Sequence, residues 1–150
     1  MSTFVRFTSN AEVTTIGRGL ASRTLPKSRW THAAHFAAAL WLVDLKASHL
    51  MPELIRAYNE ATGVANTHTS GYHETITQAS LRAARAFRAE RLHRPLFEVC
   101  NELLQSRPGR SDWVQTHWSR ERLFSAEKAW AESDLEPLPS EDDIFPKERL

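Results

Sequence analysis

Cysteine is nearly absent from this chain, since Cys100 is the only one. A single cysteine cannot form an internal disulfide, and such usage is typical of a reducing compartment. Long hydrophobic runs are also missing. The longest one, from Phe36 to Val43, is far shorter than the ~20 residues that span a bilayer. The first ten residues lack the basic and apolar regions of a signal peptide. We therefore expect a cytoplasmic protein with no membrane partner.

An excess of one charge is missing as well. The 19 Lys and Arg side chains nearly balance the 18 Asp and Glu side chains, for a net charge of +1. This balance gives no overall field for nucleic acid, so we expect no nucleic-acid partner. Arginine recurs at every third position from Arg82 to Arg94, which could form a phosphate-binding strip. A three-residue spacing spirals around a helix, however, and favours a solvated face instead.

The chain does contain enough apolar sequence for one core. Its 150 residues are 41% hydrophobic and 25% charged, which is typical of a single ordinary domain. We find helical periodicities and no convincing strand. The prediction is an all-α, single-domain compact bundle of about four to six helices over 1–131, with an irregular stretch at 1–8. An acidic, proline-containing tail is expected over 132–150.

The helix boundaries follow from capping residues and prolines. Ser9 and Glu12 form a capping box that predicts a helix over 10–21, although Gly17 and Gly19 weaken it. Ser28 is expected to cap an Ala-rich helix over 29–46, which is apolar nearly all round and therefore buried at the centre of the bundle. Pro52 and Pro95 predict the starts of helices over 52–61 and 95–105. A further helix is predicted from 71 or 72 to 91, with Ser70 or Thr69 as its cap.

Two segments that bear histidine stand out against this apolar background. His32 and His35 lie in the first two turns of the helix predicted over 29–46, and His73 opens the helix that runs to 91. Short connections make successive helices antiparallel, so the first and third helices of this group should run parallel. Their N-termini then lie at one end of the bundle. The sequence predicts a polar site there, covered by the loop over 64–70.

Several chemistries fit such a site. His32, His35 and His73 could hold a divalent metal such as zinc. Alternatively, His73 and Glu74 could act in a metal-free site as general base and orienting group. The third and favoured interpretation is structural, with neutral histidines bonded to polar neighbours. The side chains expected to surround a bound ligand, or to supply those structural partners, are Asn59, Asn66, Thr69 and Tyr72.

Two classes of function therefore remain open. One is a small-molecule-binding protein or enzyme with its site at the end of the bundle. The other is a non-catalytic helical interaction protein, possibly a homodimer or larger homo-oligomer, whose histidines form a structural hydrogen-bond network. The remaining histidines, His49, His93 and His117, are interpreted as surface or boundary positions.

Three stretches of the sequence resemble a family of small bacterial helical proteins. They are 24–35 with Trp30-Thr31-His32-x-x-His35, 58–77 with the block Gly71-Tyr72-His73-Glu74-Thr75-Ile76-Thr77, and 119–139. The resemblance covers roughly 20–139. It implies a bacterial, single-domain protein of about this length. The family is uncharacterised, so the resemblance implies no activity, cofactor or catalytic residue.

Overall fold

A computed structural model describes residues 6–66, 72–110 and 112–117. Five α-helices lie in these ranges: α1 (Asn10–Ser22), α2 (His32–Asp44), α3 (Met51–Ala61), α4 (Glu74–Ala89) and α5 (Leu96–Gln105). Short 3₁₀ turns lie at Lys27–Arg29, Ser48–Leu50, Arg107–Gly109 and Trp113–Thr116. The described ranges contain no strand. The predicted all-α class and the number of helices are confirmed, whereas the tail predicted over 132–150 lies outside the described residues.

Most of the predicted helix ends agree with the observed ones, but α2 begins later than expected. The Ser9 hydroxyl accepts a hydrogen bond from the amide of Glu12 at 3.3 Å, as the capping box predicts. The predicted cap of α2, Ser28, lies instead inside a 3₁₀ turn. Thr31 is the cap, and its hydroxyl accepts from the amide of Ala34 at 3.2 Å. Because Thr31 has extended backbone geometry, the helix starts at His32.

The Ala-rich helix lies at the centre of the molecule. Its apolar side chains from Ala33 to Leu42 are buried apart from Trp41, which is half-buried. α2 packs against α1, α4 and α5. A helix that is apolar on every side has no face to turn to water, so it is stable only when other helices surround it. The small alanine side chains let those helices approach.

Gly17 of α1 lies directly against Trp41 of α2. A Cβ atom added at this position would lie 2.4 Å from the Cδ2 and Cε3 atoms of Trp41, well inside the contact distance of two carbon atoms. The indole of Trp41 therefore occupies the space that a side chain would take. Glycine at position 17 lowers the intrinsic helix stability of α1. The contact with the Trp41 indole explains why a glycine is present there.

α2 and α4 run in the same direction. The guanidinium of Arg88, near the end of α4, donates to both carboxylate oxygens of Asp44 at 2.8 and 3.0 Å. Asp44 is the last residue of α2. At 1.5 Å per residue, the starts of the two helices lie roughly 18 and 21 Å back from this ion pair. Because α2 and α4 also pack against each other, they run parallel as predicted, with both N-termini at one end of the bundle.

None of the helices in 6–66, 72–110 and 112–117 combines the length and the apolarity that crossing a bilayer requires.

We expect Gly17→Ala to destabilise the protein, although alanine is intrinsically the better helix former by about 1 kcal/mol. The added methyl group must displace Trp41, and overpacking of this kind costs about 1–3 kcal/mol. Urea unfolding followed by circular dichroism measures the change. Thr15→Ala, at an exposed position of α1, is the matched control and should stay within about 0.5 kcal/mol of wild type. A Gly17→Ala variant more stable than wild type would contradict the close approach.

Candidate functional site

The residues predicted to surround a ligand are joined through one side chain, that of Asn66. Its Oδ1 accepts from Nδ2 of Asn59 at 3.0 Å and from the amide of Tyr72 at 3.1 Å. Its Nδ2 donates to the carbonyl of Arg56 at 3.1 Å. Asn66 therefore ties the end of α3 to the start of α4. Asn59, Asn66 and Tyr72 do meet, as predicted, whereas Thr69 lies outside the described residues.

The carboxylate of Glu74 has three partners on this surface. It accepts from the Tyr72 hydroxyl at 2.9 Å and from Nε2 of Gln78 at 2.7 Å, and the Arg56 guanidinium lies 3.6 Å away. The same guanidinium stacks over the Tyr72 ring at 4.2 Å. Burial, reinforced by the hydrogen bond to Glu74, raises the pKa of Tyr72. The phenol therefore stays protonated at neutral pH and acts as a donor.

His73 lies just before α4 and caps it. The sequence predicted a helix that starts at Gly71 or Tyr72, but its first residue is Glu74 and His73 has extended backbone geometry. Nδ1 of His73 accepts from the amide of Ile76 at 3.4 Å, which is the usual task of a capping Ser, Thr, Asp or Asn. His73 is buried, with 7% of its surface exposed. The prediction that a Ser70 or Thr69 side chain caps this helix was wrong.

His35 lies among aromatic rings on α2. Its ring centroid is 5.6 Å from that of Trp30 and 6.1 Å from that of Phe36. Trp30 in turn lies 5.6 Å from the ring of Tyr58 on α3. Loss of hydration, with a smaller contribution from the charge of His32, lowers the pKa of His35 to about 4. At pH 7 this imidazole is therefore neutral.

His32 has a different partner from His35, one turn away on the same helix. Its Nε2 donates to the carbonyl of Pro108 at 2.8 Å, and its ring meets Phe36 edge to face at 5.2 Å. The bond ties α2 to the turn that follows α5. This geometry is that of a structural histidine, bonded to backbone and packed on an aromatic ring.

The sequence predicted that His32, His35 and His73 could hold a divalent metal. Residues 6–66, 72–110 and 112–117 include no group of three or more His, Cys, Asp or Glu side chains placed to hold a metal ion. His32, His35 and His73 each make the separate structural contacts described above. Zinc binding by these three histidines stays a prediction from the sequence, to which the described contacts add no support.

Two long-range contacts were missed in the sequence because each depends on how distant segments dock. The Asn101 side chain accepts from the amide of Phe7 and donates to its carbonyl, both at 2.8 Å. The Asn10 side chain accepts from the amide of Phe97 at 2.9 Å and so satisfies a free amide at the start of α5. A lone asparagine on a helix carries no signal that would have predicted either bond.

The interpretation of His117 as a surface position was wrong. It is only 6% exposed, and its ring packs edge to face on Trp113 at a centroid distance of 6.0 Å. Trp113 packs in turn on Phe36 at 6.5 Å. The segment after α5 therefore folds back over the start of α2, which the sequence pattern did not indicate.

The solvated face predicted for the arginines from Arg82 to Arg94 was also wrong in part. Arg88 pairs with Asp44, as described above, and also donates to the carbonyls of Arg91 and Arg94. Nε of Arg91 lies 3.1 Å from the carboxylate of Glu102, while its guanidinium stacks on Phe87 at 3.6 Å. These side chains join α4 to α2 and α5, so they are not arranged as a free strip.

A cavity of about 350 Å³ opens beside α5. Arg94 precedes the helix, and Arg6 comes from the N-terminal segment that Asn101 holds in place. Among the described residues, the Arg6 guanidinium and the Gln105 amide make no hydrogen bond or ion pair. The side chains that line the cavity include Arg6, Arg94, Phe97, Glu98, Glu102 and Gln105. This site was not predicted from the sequence.

We expect the stability of the protein to fall as the pH is lowered from 6.5 towards 4, partly through His35. Its pKa is about 4 in the folded state against about 6.5 in an unfolded chain. The unfolded state therefore binds more protons in this window, so acid favours unfolding. The stabilisation is complete above pH 6.5. About 1–2 kcal/mol of it should be lost between pH 7 and pH 5.

Urea unfolding at pH 7 and pH 5 measures this loss in wild type and in His35→Gln. The variant should lose less stability than wild type over the same interval, while the exposed control His49→Gln should follow wild type. An identical pH dependence for all three proteins would show that His35 does not titrate in this way.

The capping role of His73 predicts different results for two substitutions. His73→Ala should destabilise the protein by about 0.5–2 kcal/mol because the amide of Ile76 loses its acceptor. His73→Asn supplies a good capping oxygen and should recover most of that loss. Thermal unfolding compares both variants with the exposed control His93→Ala. Equal destabilisation by alanine and asparagine would exclude capping as the reason for a histidine here.

Comparison of the chain with models of protein families, with curated proteins and with solved structures found no match. Evidence for a function therefore comes from the described residues themselves. Two places are candidates: the polar end of the bundle around Asn66 and Glu74, and the cavity beside α5.

Proposed function

We propose that the protein is a non-catalytic small-molecule-binding protein and that its ligand occupies the cavity beside α5. One observation carries the proposal. The cavity has a volume of about 350 Å³, within the size range of small-molecule sites, and is lined by Arg6, whose guanidinium has no partner among the described residues. A charged group without a partner in the described part of the chain is available to a ligand.

The polar end of the bundle supports a structural role for the residues first predicted as a site. Glu74 accepts from Tyr72 and Gln78 and faces Arg56. His73 caps α4, and His32 donates to a backbone carbonyl. A general base needs a free acceptor directed at a substrate. The acceptors of His73 and Glu74 are instead directed at their own chain, so the proposal assigns them no catalytic role.

Self-association is the second candidate, because three large apolar side chains are exposed among the residues that the structure describes. They are Leu45 at 56%, Leu50 at 40% and Leu92 at 65% exposure. Leu45 directly follows Asp44, whose partner Arg88 lies one turn before Leu92. Leu45 and Leu92 are therefore at the same end of the bundle, opposite His32, His35 and His73. Solvent-facing leucines of this kind are common at sites of protein association.

Blocking the cavity tests the binding proposal. We expect Gln105→Trp, which places a bulky ring at the cavity wall, to abolish binding of compounds that raise the Tm of wild type. Gln115→Trp is the matched control, since Gln115 is exposed and lies outside the cavity lining. A chemically diverse fragment library, read by thermal shift and ligand-observed NMR, supplies the compounds. Fragments that bind Gln105→Trp as tightly as wild type would place the site elsewhere, and no binding fragment at all would reject the proposal.

A further inference from the structure

We infer that the ligand of the cavity beside α5 is a free α-amino acid with a bulky apolar side chain. This inference rests on the proposed function, since it names the class of ligand that the same cavity takes. The cavity offers three features of different chemistry: an uncommitted cation, an uncommitted carboxylate and an apolar ring. Each of them matches one group of an amino acid.

The cation is Arg6. Arg6 lines the cavity and is exposed, and its guanidinium has no hydrogen-bond or ion-pair partner among the described residues. A guanidinium presents donors in a fork that matches a carboxylate. The backbone next to it is held by both hydrogen bonds between Phe7 and Asn101. Asn101 is therefore a positioning residue, which fixes Arg6 beside α5.

The carboxylate is that of Glu98. Its one described partner is Nε of Arg94, at a distance of 4.0 Å, which is too long for a hydrogen bond. Glu102 differs, since Arg91 lies 3.1 Å from it and Arg94 also donates to it. Hydrogen bonds from Arg91 and then from Arg94 lower the pKa of Glu102. Of the two carboxylates, Glu98 is therefore the one free to receive an ammonium group.

The apolar ring is that of Phe97. It lies one residue before Glu98 on the first turn of α5 and is half-buried. The hydrogen bond from its amide to Asn10 fixes the backbone at this point. A partly exposed phenyl ring on a cavity wall is stabilised when an apolar group covers it. This favours an amino acid with a bulky apolar or aromatic side chain over glycine or a polar one.

The charges of the lining disfavour ligands that carry a single charge. A monoanion near Arg6 would also face the carboxylates of Glu98 and Glu102, whereas a monocation near Glu98 would face Arg6 and Arg94. A zwitterion places an opposite charge at each uncommitted group and adds no net charge to the cavity. A ligand of this class is therefore attracted by both Arg6 and Glu98.

The test begins with thermal shift of the untagged full chain against the common amino acids. We expect bulky apolar ones to raise the Tm by roughly 5–10 °C at a hundredfold excess over Kd. Calorimetry then compares L-phenylalanine with its two halves, 3-phenylpropanoate and 2-phenylethylamine. Each half should bind about tenfold or more weakly, because it lacks one of the two ion pairs.

Two pairs of variants assign the groups. Arg6→Gln and Glu98→Gln should each weaken binding of L-phenylalanine about tenfold or more. The matched controls Arg18→Gln and Glu60→Gln change exposed residues outside the cavity and should leave Kd unchanged. All four lie at the surface, and an unchanged Tm without ligand verifies that each variant folds.

The outcomes separate this inference from the proposed function. Fragments that bind in the cavity while no amino acid does would overturn the amino-acid inference and keep the binding proposal. Equal binding of 3-phenylpropanoate and L-phenylalanine, with no effect of Glu98→Gln, would replace the zwitterion by a simple carboxylate and overturn the inference. Failure of both amino acids and fragments would reject both proposals.

Discussion

The burial of α2 is the constraint on which the rest of this structure depends. The helix is apolar on every side, so water is excluded only if other helices surround it. α1, α4 and α5 do so. The alanines let these helices approach, and Gly17 leaves room for the Trp41 indole. The hydrophobic stabilisation of the protein is concentrated around this one element. A substitution on the surface of α2 therefore alters its contacts with several helices at once.

The polar residues at the helix ends follow from the same constraint. Wherever a helix end is buried, its free amides and carbonyls need partners. Thr31 supplies one for α2, His73 one for α4, and Asn10 one for α5. Asn66 completes the connection between α3 and α4. A group of histidines and asparagines in the sequence can thus arise from hydrogen bonding at helix ends.

Much of this fold could be predicted from local patterns, because each pattern acts within a few residues. The capping box at Ser9, the apolar Ala-rich run and Pro52 each indicated a helix at the right place. The meeting of Asn59, Asn66 and Tyr72 also followed, since short loops restrict how helices return. The start of α4 was misplaced, because histidine is an uncommon cap and Ser70 offered a stronger signal.

The sequence by itself determined the all-α class, the order of the helices and the central position of α2, since periodicity and capping are local properties. Only the tertiary structure decided which polar groups are engaged and which remain available. In the folded chain, the carboxylate of Glu74 is engaged by side chains on α3 and α4. Asn101, which is distant in sequence, binds the backbone of Phe7 and so places Arg6 beside α5. Such pairings depend on how helices dock, and docking is set by the packing of the whole core, which no local pattern encodes.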